Sequence, residues 1–180
     1  MYSPAAMAFS ADLKTRHFAL IGLMGAGKTS VGRLLARRLG LPFHDSDEAV
    51  AHSAGLSVAE LFERQGEPAF RALERGALAR LLAGERSVIA TGGGAVTEPE
   101  TRDALRGQAF TIWLDASPKV LAARLADSDE RPLLANGDPE VVLDRLAEQR
   151  RPFYAAADLR IGTDELDPAE VAELIVATVR

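Results

Sequence analysis

Eight residues, Gly22-Leu23-Met24-Gly25-Ala26-Gly27-Lys28-Thr29, constrain this chain more than any others. They spell G-x-x-x-x-G-K-[ST], follow the apolar run Phe18-Ala19-Leu20-Ile21 and precede a helical pattern from Val31 to Leu39. Strand, glycine-rich turn and helix in that order form a phosphate-binding loop, the P-loop. The glycines let the backbone curl so that successive N–H groups point at an anion, and the helix N-terminus adds positive potential. Gly25, Ala26, Gly27, Lys28, Thr29 and Ser30 are therefore expected to hold the phosphates of ATP. Lys28 should reach the β- and γ-phosphates, and Thr29 should place its hydroxyl on Mg²⁺. A plain strand-to-helix turn would use the glycines but gives no reason for a lysine and a hydroxyl residue directly after them.

At 180 residues and 47% hydrophobic composition the chain suits a single globular domain with a core on two sides. Its net charge of −5 argues against a nucleic-acid partner. The same charge is compatible with ATP, because a P-loop binds phosphate mainly through backbone N–H groups. With no cysteine there is no disulfide framework, thiolate metal site or cysteine nucleophile. That fits a reducing, cytoplasmic setting. Residues 1–16 read as a disordered lead: they lack the apolar segment of a signal peptide and contain Asp12, and Met7 is an alternative start. No apolar stretch approaches the length of a membrane span.

Along the chain, short apolar runs alternate with helical patterns. Strands are expected at His17–Ile21, Leu41–His44, Ser87–Ala90, Ala109–Leu114 and Leu159–Ile161. The first helix should stop at Gly40. Residues 46–83 read as helical, with a capping box at Ser57–Glu60, a short helix through Phe62 and a longer one from Glu67 to Leu82. A second capping box is expected at Thr97-Glu98-Pro99-Glu100. Residues 127–138 have no apolar periodicity and read as a mobile loop. Asp138-Pro139 should then start a helix through Gln149, and Asp167-Pro168 one that runs to Arg180. This alternation predicts an α/β fold with a parallel sheet. Ligands of such sheets sit at the C-terminal ends of the strands, where the P-loop, Asp45/Asp47 and Gly92-Gly93-Gly94 all fall.

Asp45 and Asp47 admit two readings. Asp45 can cap the following helix, with Glu48 completing a capping box. Alternatively one carboxylate serves the Mg²⁺ shell and the other meets an acceptor hydroxyl. Gly92-Gly93-Gly94 allow a small polar ligand to lie against the backbone. Arg71 and Arg150, both on helices, read by default as solvated. Arg131 sits in the loop Asp129–Leu134 and suits a lid closing on the γ-phosphate. His17, His44 and His52 lack metal-ligand spacing, and Trp113 reads as core.

Taken together these motifs resemble the shikimate kinases, small P-loop kinases related in fold to the nucleoside monophosphate kinases. The likeness is carried by Gly22–Thr29, D-S-D at Asp45–Asp47, F-R-x-x-E at Phe70–Glu74 and G-G-G-A-V at Gly92–Val96, then by R-P-L-L at Arg131–Leu134 and R-x-P-x-Y at Arg150–Tyr154. It extends from about residue 17 to the C-terminus.

The resemblance implies a three-layer P-loop NTPase fold, its five-stranded parallel sheet ordered 2-3-1-4-5, with a mobile lid at about 127–138 and a substrate-binding helical region at about 46–83. It implies transfer of phosphate from ATP to the 3-hydroxyl of shikimate. Asp47 would meet the ring hydroxyls. Arg71 and Arg150 would hold the carboxylate, and Gly92, Gly93 and Gly94 would lie against the ring. Lys28 and Arg131 would act on the phosphates, Thr29 and Asp45 would serve Mg²⁺, and Arg124 would face adenine near the loop Thr163–Pro168. A monomer acting on small molecules, without nucleic acid or membrane, is expected. Competing readings are another small-molecule P-loop kinase, such as a gluconate or nucleoside monophosphate kinase, and a non-catalytic relative. The second should lack Lys28, Asp47 or Arg131, and all three are present.

Overall fold

β1 (His17–Ile21) is buried on both faces along its whole length, as a central strand of a parallel sheet must be. In the computed structural model, which describes residues 13–126 and 138–179, it pairs with β3 (Val88–Ala90) on one side and β4 (Ala109–Asp115) on the other. Leu20 lies in register with both Ala90 and Ile112. β2 (Phe43–Asp45) and β5 (Leu159–Gly162) form the edges, so the five parallel strands run β2-β3-β1-β4-β5. That is the expected order. Phe18 meets Phe110 edge-on at 6.1 Å between ring centres, within the core around Leu20, Ile89 and Leu114.

Helices cover the sheet. The P-loop helix α1 (Lys28–Leu39) ends at Gly40, whose φ of 66° supplies the left-handed cap. It packs on α7 (Pro168–Val179), and Arg38 pairs with Glu173 at 2.6 Å. α2 (Ser46–Ala54) and α3 (Val58–Leu82) pack together around a core of their own: Val50, Leu61, Phe70 and Ala77. The Ser57–Glu60 capping box forms as expected. α3 is bent at Gly66 (φ 77°, ψ 171°), which marks the division into two helices that the sequence suggests. Pro68 then falls in the first turn of the second half, where its missing N–H costs nothing.

Three local expectations need revision. Thr97 caps no helix: its hydroxyl donates to Gly94 O at 2.7 Å, and Glu98 is the residue before α4 (Pro99–Gln108). α5 (Pro118–Leu125) is followed by α6 (Pro139–Tyr154), which continues past Gln149 and through Pro152. A proline so near a helix end removes one backbone hydrogen bond without stopping the last turn, and Arg150 and Tyr154 come to share one buried face. Finally, the last residues of the lead belong to the domain. Leu13 is buried in the core, and Arg86 donates to Leu13 O and Arg16 O at 2.9 and 3.0 Å. The 127–138 loop, Asp138 apart, and residues 1–12 lie outside the described residues.

His17 ties the lower edge of the sheet together. Leu82 O can only accept, so His17 carries its proton on Nε2 and donates there at 3.1 Å. Its Nδ1 accepts from the Ser87 N–H at 3.2 Å. Burial depresses its pKa, with His44 and Arg86 adding to the effect and the Leu82 carbonyl opposing it. A base whose folded pKa is depressed stabilises the fold above its unfolded value of 6.5 and loses that contribution as pH falls below it. The melting temperature should therefore drop between about pH 7 and pH 5, and His17→Gln should flatten that slope; an unchanged slope in thermal unfolding refutes the assignment.

Candidate active site

The cleft is assembled at the C-terminal ends of the strands, and the sheet order sets out its parts. Asp45 ends β2 and Asp47 follows it, the triple glycine lies just after β3 and the P-loop follows β1. The loop starting at Thr163 follows β5. One cleft of about 930 Å³ is lined by all the residues expected to act, Arg131 excepted, which lies outside the described residues.

At Gly22 the P-loop turns with φ 141°, and a Cβ there would stand 2.5 Å from Leu114 O. Only glycine lets the loop leave β1 so close to β4. Lys28 folds over the loop, its Nζ donating to Gly22 O at 2.9 Å and Leu23 O at 2.8 Å. Thr29 Oγ1 donates to Asp45 Oδ2 at 2.7 Å. The other oxygen of Asp45 accepts from the Asp47 N–H at 3.0 Å. Asp45 caps α2, as one reading expects, and its other oxygen stands beside the P-loop hydroxyl, so the cap is compatible with the Mg²⁺ reading. Glu48 completes no capping box and pairs instead with Arg33 at 2.8 Å.

The triple glycine works differently from the plain expectation. Side chains of the protein itself occupy the space that its missing Cβ atoms leave. A Cβ on Gly92 would lie 1.9 Å from Glu74 Oε1 and 2.7 Å from Asp47 Oδ1, and one on Gly94 2.2 Å from Arg71 Nη2. Gly93 lies against the P-loop, where a Cβ would come within 3.2 Å of Met24 N. Ser46, fully buried, accepts from the Gly92 N–H at 2.9 Å and so fixes the strip to the end of β2.

Arg71 and Arg150 are buried at 9% and 6% exposure, which excludes the solvated reading for both. Arg71 donates to Glu74 Oε2 at 2.7 Å and Glu67 Oε1 at 2.9 Å. Burial works against its charge, but these two carboxylates more than offset it, and its pKa rises. Burial pushes the Glu74 carboxyl above the usual range; Arg71 opposes this, and the Asp47 carboxylate adds to it. Glu74 Oε1 is buried with no hydrogen-bond partner among the described residues. Arg150 Nη1 donates to Gly93 O at 3.1 Å. At the other end Arg124 donates to Thr163 O at 2.6 Å, beside Leu166 and Pro168.

Sequence reasoning gave no role to Ser46, Glu74 or Tyr154. For Glu74 a signal existed, an acid three residues after an arginine on a helix. Ser46 and Tyr154 fall inside the D-S-D and R-x-P-x-Y motifs, but they act through backbone groups distant in sequence, so the motifs mark the residues without their roles. Trp113 is core, as expected, and stacks on Tyr154.

What this arrangement can do is bind a polyphosphate at the P-loop and hold a small polar anion against buried arginines and carboxylates. Comparison with known proteins agrees. The family model for shikimate kinase matches residues 24–180. A shikimate kinase of Symbiobacterium thermophilum is 52% identical over 87% of this chain and 92% of its own length. One from Caulobacter vibrioides is 45% identical over 94% of this chain and 85% of its own. The structure of shikimate kinase from Acinetobacter baumannii in complex with shikimate superposes with a TM-score of 0.90 at 34% identity, covering 95% of this chain and 96% of that one. With the P-loop, the D-S-D turn and the glycine strip meeting in one cleft, and likeness extending over nearly the whole length, the chain belongs to the shikimate kinase family.

Proposed function

We infer that the chain transfers the γ-phosphoryl group of ATP to the 3-hydroxyl of shikimate, giving ADP and shikimate 3-phosphate, on the route to chorismate and the aromatic amino acids. The observation that carries this reading is the meeting of Asp47, buried Arg71 and buried Arg150 with the P-loop in one cleft. Shikimate is a carboxylate with vicinal hydroxyls. Arginine's fork matches a carboxylate, and a carboxylate side chain matches adjacent hydroxyls.

In the transfer, the acceptor oxygen forms a bond to the γ-phosphorus as the bridging oxygen leaves with ADP. Asp47 aligns the attacking hydroxyl, accepts its hydrogen bond and receives its proton as the new bond to phosphorus forms. Arg71 and Arg150 fix the ring through its carboxylate and so select which hydroxyl faces ATP. Lys28 leaves its loop carbonyls for the phosphate oxygens and offsets charge there. Arg131 is assigned the lid role on the phosphates, and Arg124 faces the adenine. Hard oxygen donors side by side, Thr29 Oγ1 and Asp45 Oδ2, suit Mg²⁺: the hydroxyl as direct ligand, the carboxylate through water. When bound, the ion neutralises charge on the β- and γ-phosphates. Every residue given a role here comes from the same chain, so the proposed chemistry needs no second copy, and a monomer is the state proposed. We place this ATP-dependent biosynthetic step in the cytoplasm.

Mg²⁺-dependent ADP release should be seen with shikimate and not with gluconate or nucleoside monophosphates; release with one of those alone discards the acceptor assignment. Asp47→Asn should lower kcat by roughly 10²- to 10³-fold with little change in the KM for ATP. Arg150→Ala should raise the KM for shikimate roughly 10- to 100-fold with a smaller effect on kcat. If steady-state kinetics of both variants match wild type, the site is misassigned. Thr29→Ala should raise the Mg²⁺ concentration for half-maximal rate by roughly tenfold or more, and an unchanged Mg²⁺ titration counts against Thr29 as ligand.

A further inference from the structure

Tyr154 does not line the cleft, yet it touches a residue that does. It is the last residue of α6, one turn after Arg150, and its side chain is buried. Its ring stacks on Trp113 of β4 at 5.7 Å, with 27° between the planes. Its hydroxyl donates to Gly93 O at 2.5 Å, the same oxygen that receives Arg150 Nη1 at 3.1 Å. A carbonyl oxygen has two lone pairs, and here both are in use.

That oxygen lies at a junction. Gly93 rests on the P-loop backbone, with Met24 N and Gly22 O at 3.2 and 3.4 Å from where its Cβ would stand. The Gly93–Gly94 peptide is planar and trans, so fixing the oxygen also fixes the Gly94 N–H on the opposite side. Arg150 gives this carbonyl one N–H of its guanidinium. A carboxylate gripped through the Nη1 side of the fork draws that donor away from the carbonyl.

We propose that Tyr154 is a positioning residue for the acceptor: it keeps the Gly93 carbonyl paired and in place while Arg150 turns its guanidinium to the acceptor carboxylate. The inference rests on the carboxylate role given to Arg150 above. Without the phenol, each binding event would leave a buried carbonyl without a donor, which disfavours the bound state specifically. The phenol is suited to a fixed role because its proton does not come off in the working range. Burial pushes its pKa up to about 12, the Arg150 charge opposing only in part. The stack on Trp113 holds the ring, so the hydroxyl has one place to point.

Tyr154→Phe keeps the ring and the stack and removes only the oxygen. The KM for shikimate should rise about tenfold, with the KM for ATP within about twofold of wild type. A rise above about twofold confined to shikimate supports the proposal. A shikimate KM that stays within that margin, or one that rises together with the KM for ATP, overturns it, because a merely structural role would act on both sites or on stability alone. Arg150→Ala separates the two levels of inference. If it leaves the shikimate KM unchanged, the arginine reading fails and the Tyr154 proposal with it. If it raises that KM while Tyr154→Phe is normal, the Tyr154 proposal fails alone. Should Tyr154→Phe not fold, wild-type protein labelled with fluorotyrosine decides. Its two tyrosines are Tyr2 and Tyr154, and Tyr2→Phe assigns the signals. The Tyr154 signal should move on adding shikimate and much less on adding ADP; no movement, or equal movement with both, overturns the proposal.

Discussion

Buried charge in this cleft depends on backbone that carries no side chains. Asp47, Glu74 and Arg71 converge on Gly92 and Gly94 at distances no Cβ would permit, and the P-loop lies against Gly93. Any side chain on the strip would separate groups that are tolerable in the interior only because they are close. Removing a charge from water costs several kcal/mol unless a partner and hydrogen bonds compensate. Here Arg71 has Glu74 and Glu67, and Arg150 has the Gly93 carbonyl. The frame of the site is therefore in place before substrate arrives. Its arginines are carried on inward helix faces, and only side-chain ends such as the Arg150 guanidinium and the Lys28 amine have to turn toward a ligand.

Much of this was legible in the sequence because it rests on local rules. The P-loop is written in consecutive residues, and its flanking strand and helix follow from apolar runs. Gly40 and the Ser57–Glu60 box mark helix ends by short-range chemistry, and Gly66 breaks α3 where the pattern divides it. Local rules also explain the misses. The helix from Asp138-Pro139 was expected to run only through Gln149; it continues past Pro152, because near a helix end a proline costs one hydrogen bond, which the packing of Arg150 and Tyr154 outweighs. Thr97 had the residues of a capping box, yet its hydroxyl found Gly94 O first.

Within the site, residue types were easier to read than contacts. Arg71 and Arg150 were singled out, but a helical arginine alone does not say whether it faces water. Ser46 and Tyr154 stood in recognised motifs but without a role, because their partners, Gly92 N–H and Gly93 O, are brought close only by the fold. The triple glycine suggested an accessible backbone, and the structure gives it a second use, as the surface on which the protein lays Asp47, Glu74 and Arg71.

The small core of α2 and α3 has a consequence for how such an enzyme diversifies. Val50, Leu61, Phe70 and Ala77 pack among themselves and with nearby partly buried residues, apart from the main core that holds β1. In the reading proposed above, acceptor recognition is shared: α2 and α3 carry Asp47 and Arg71, while Arg150 and the glycine strip belong to the body built on the sheet. Repacking of the small core can therefore shift Asp47 and Arg71 relative to Arg150 without disturbing strand register.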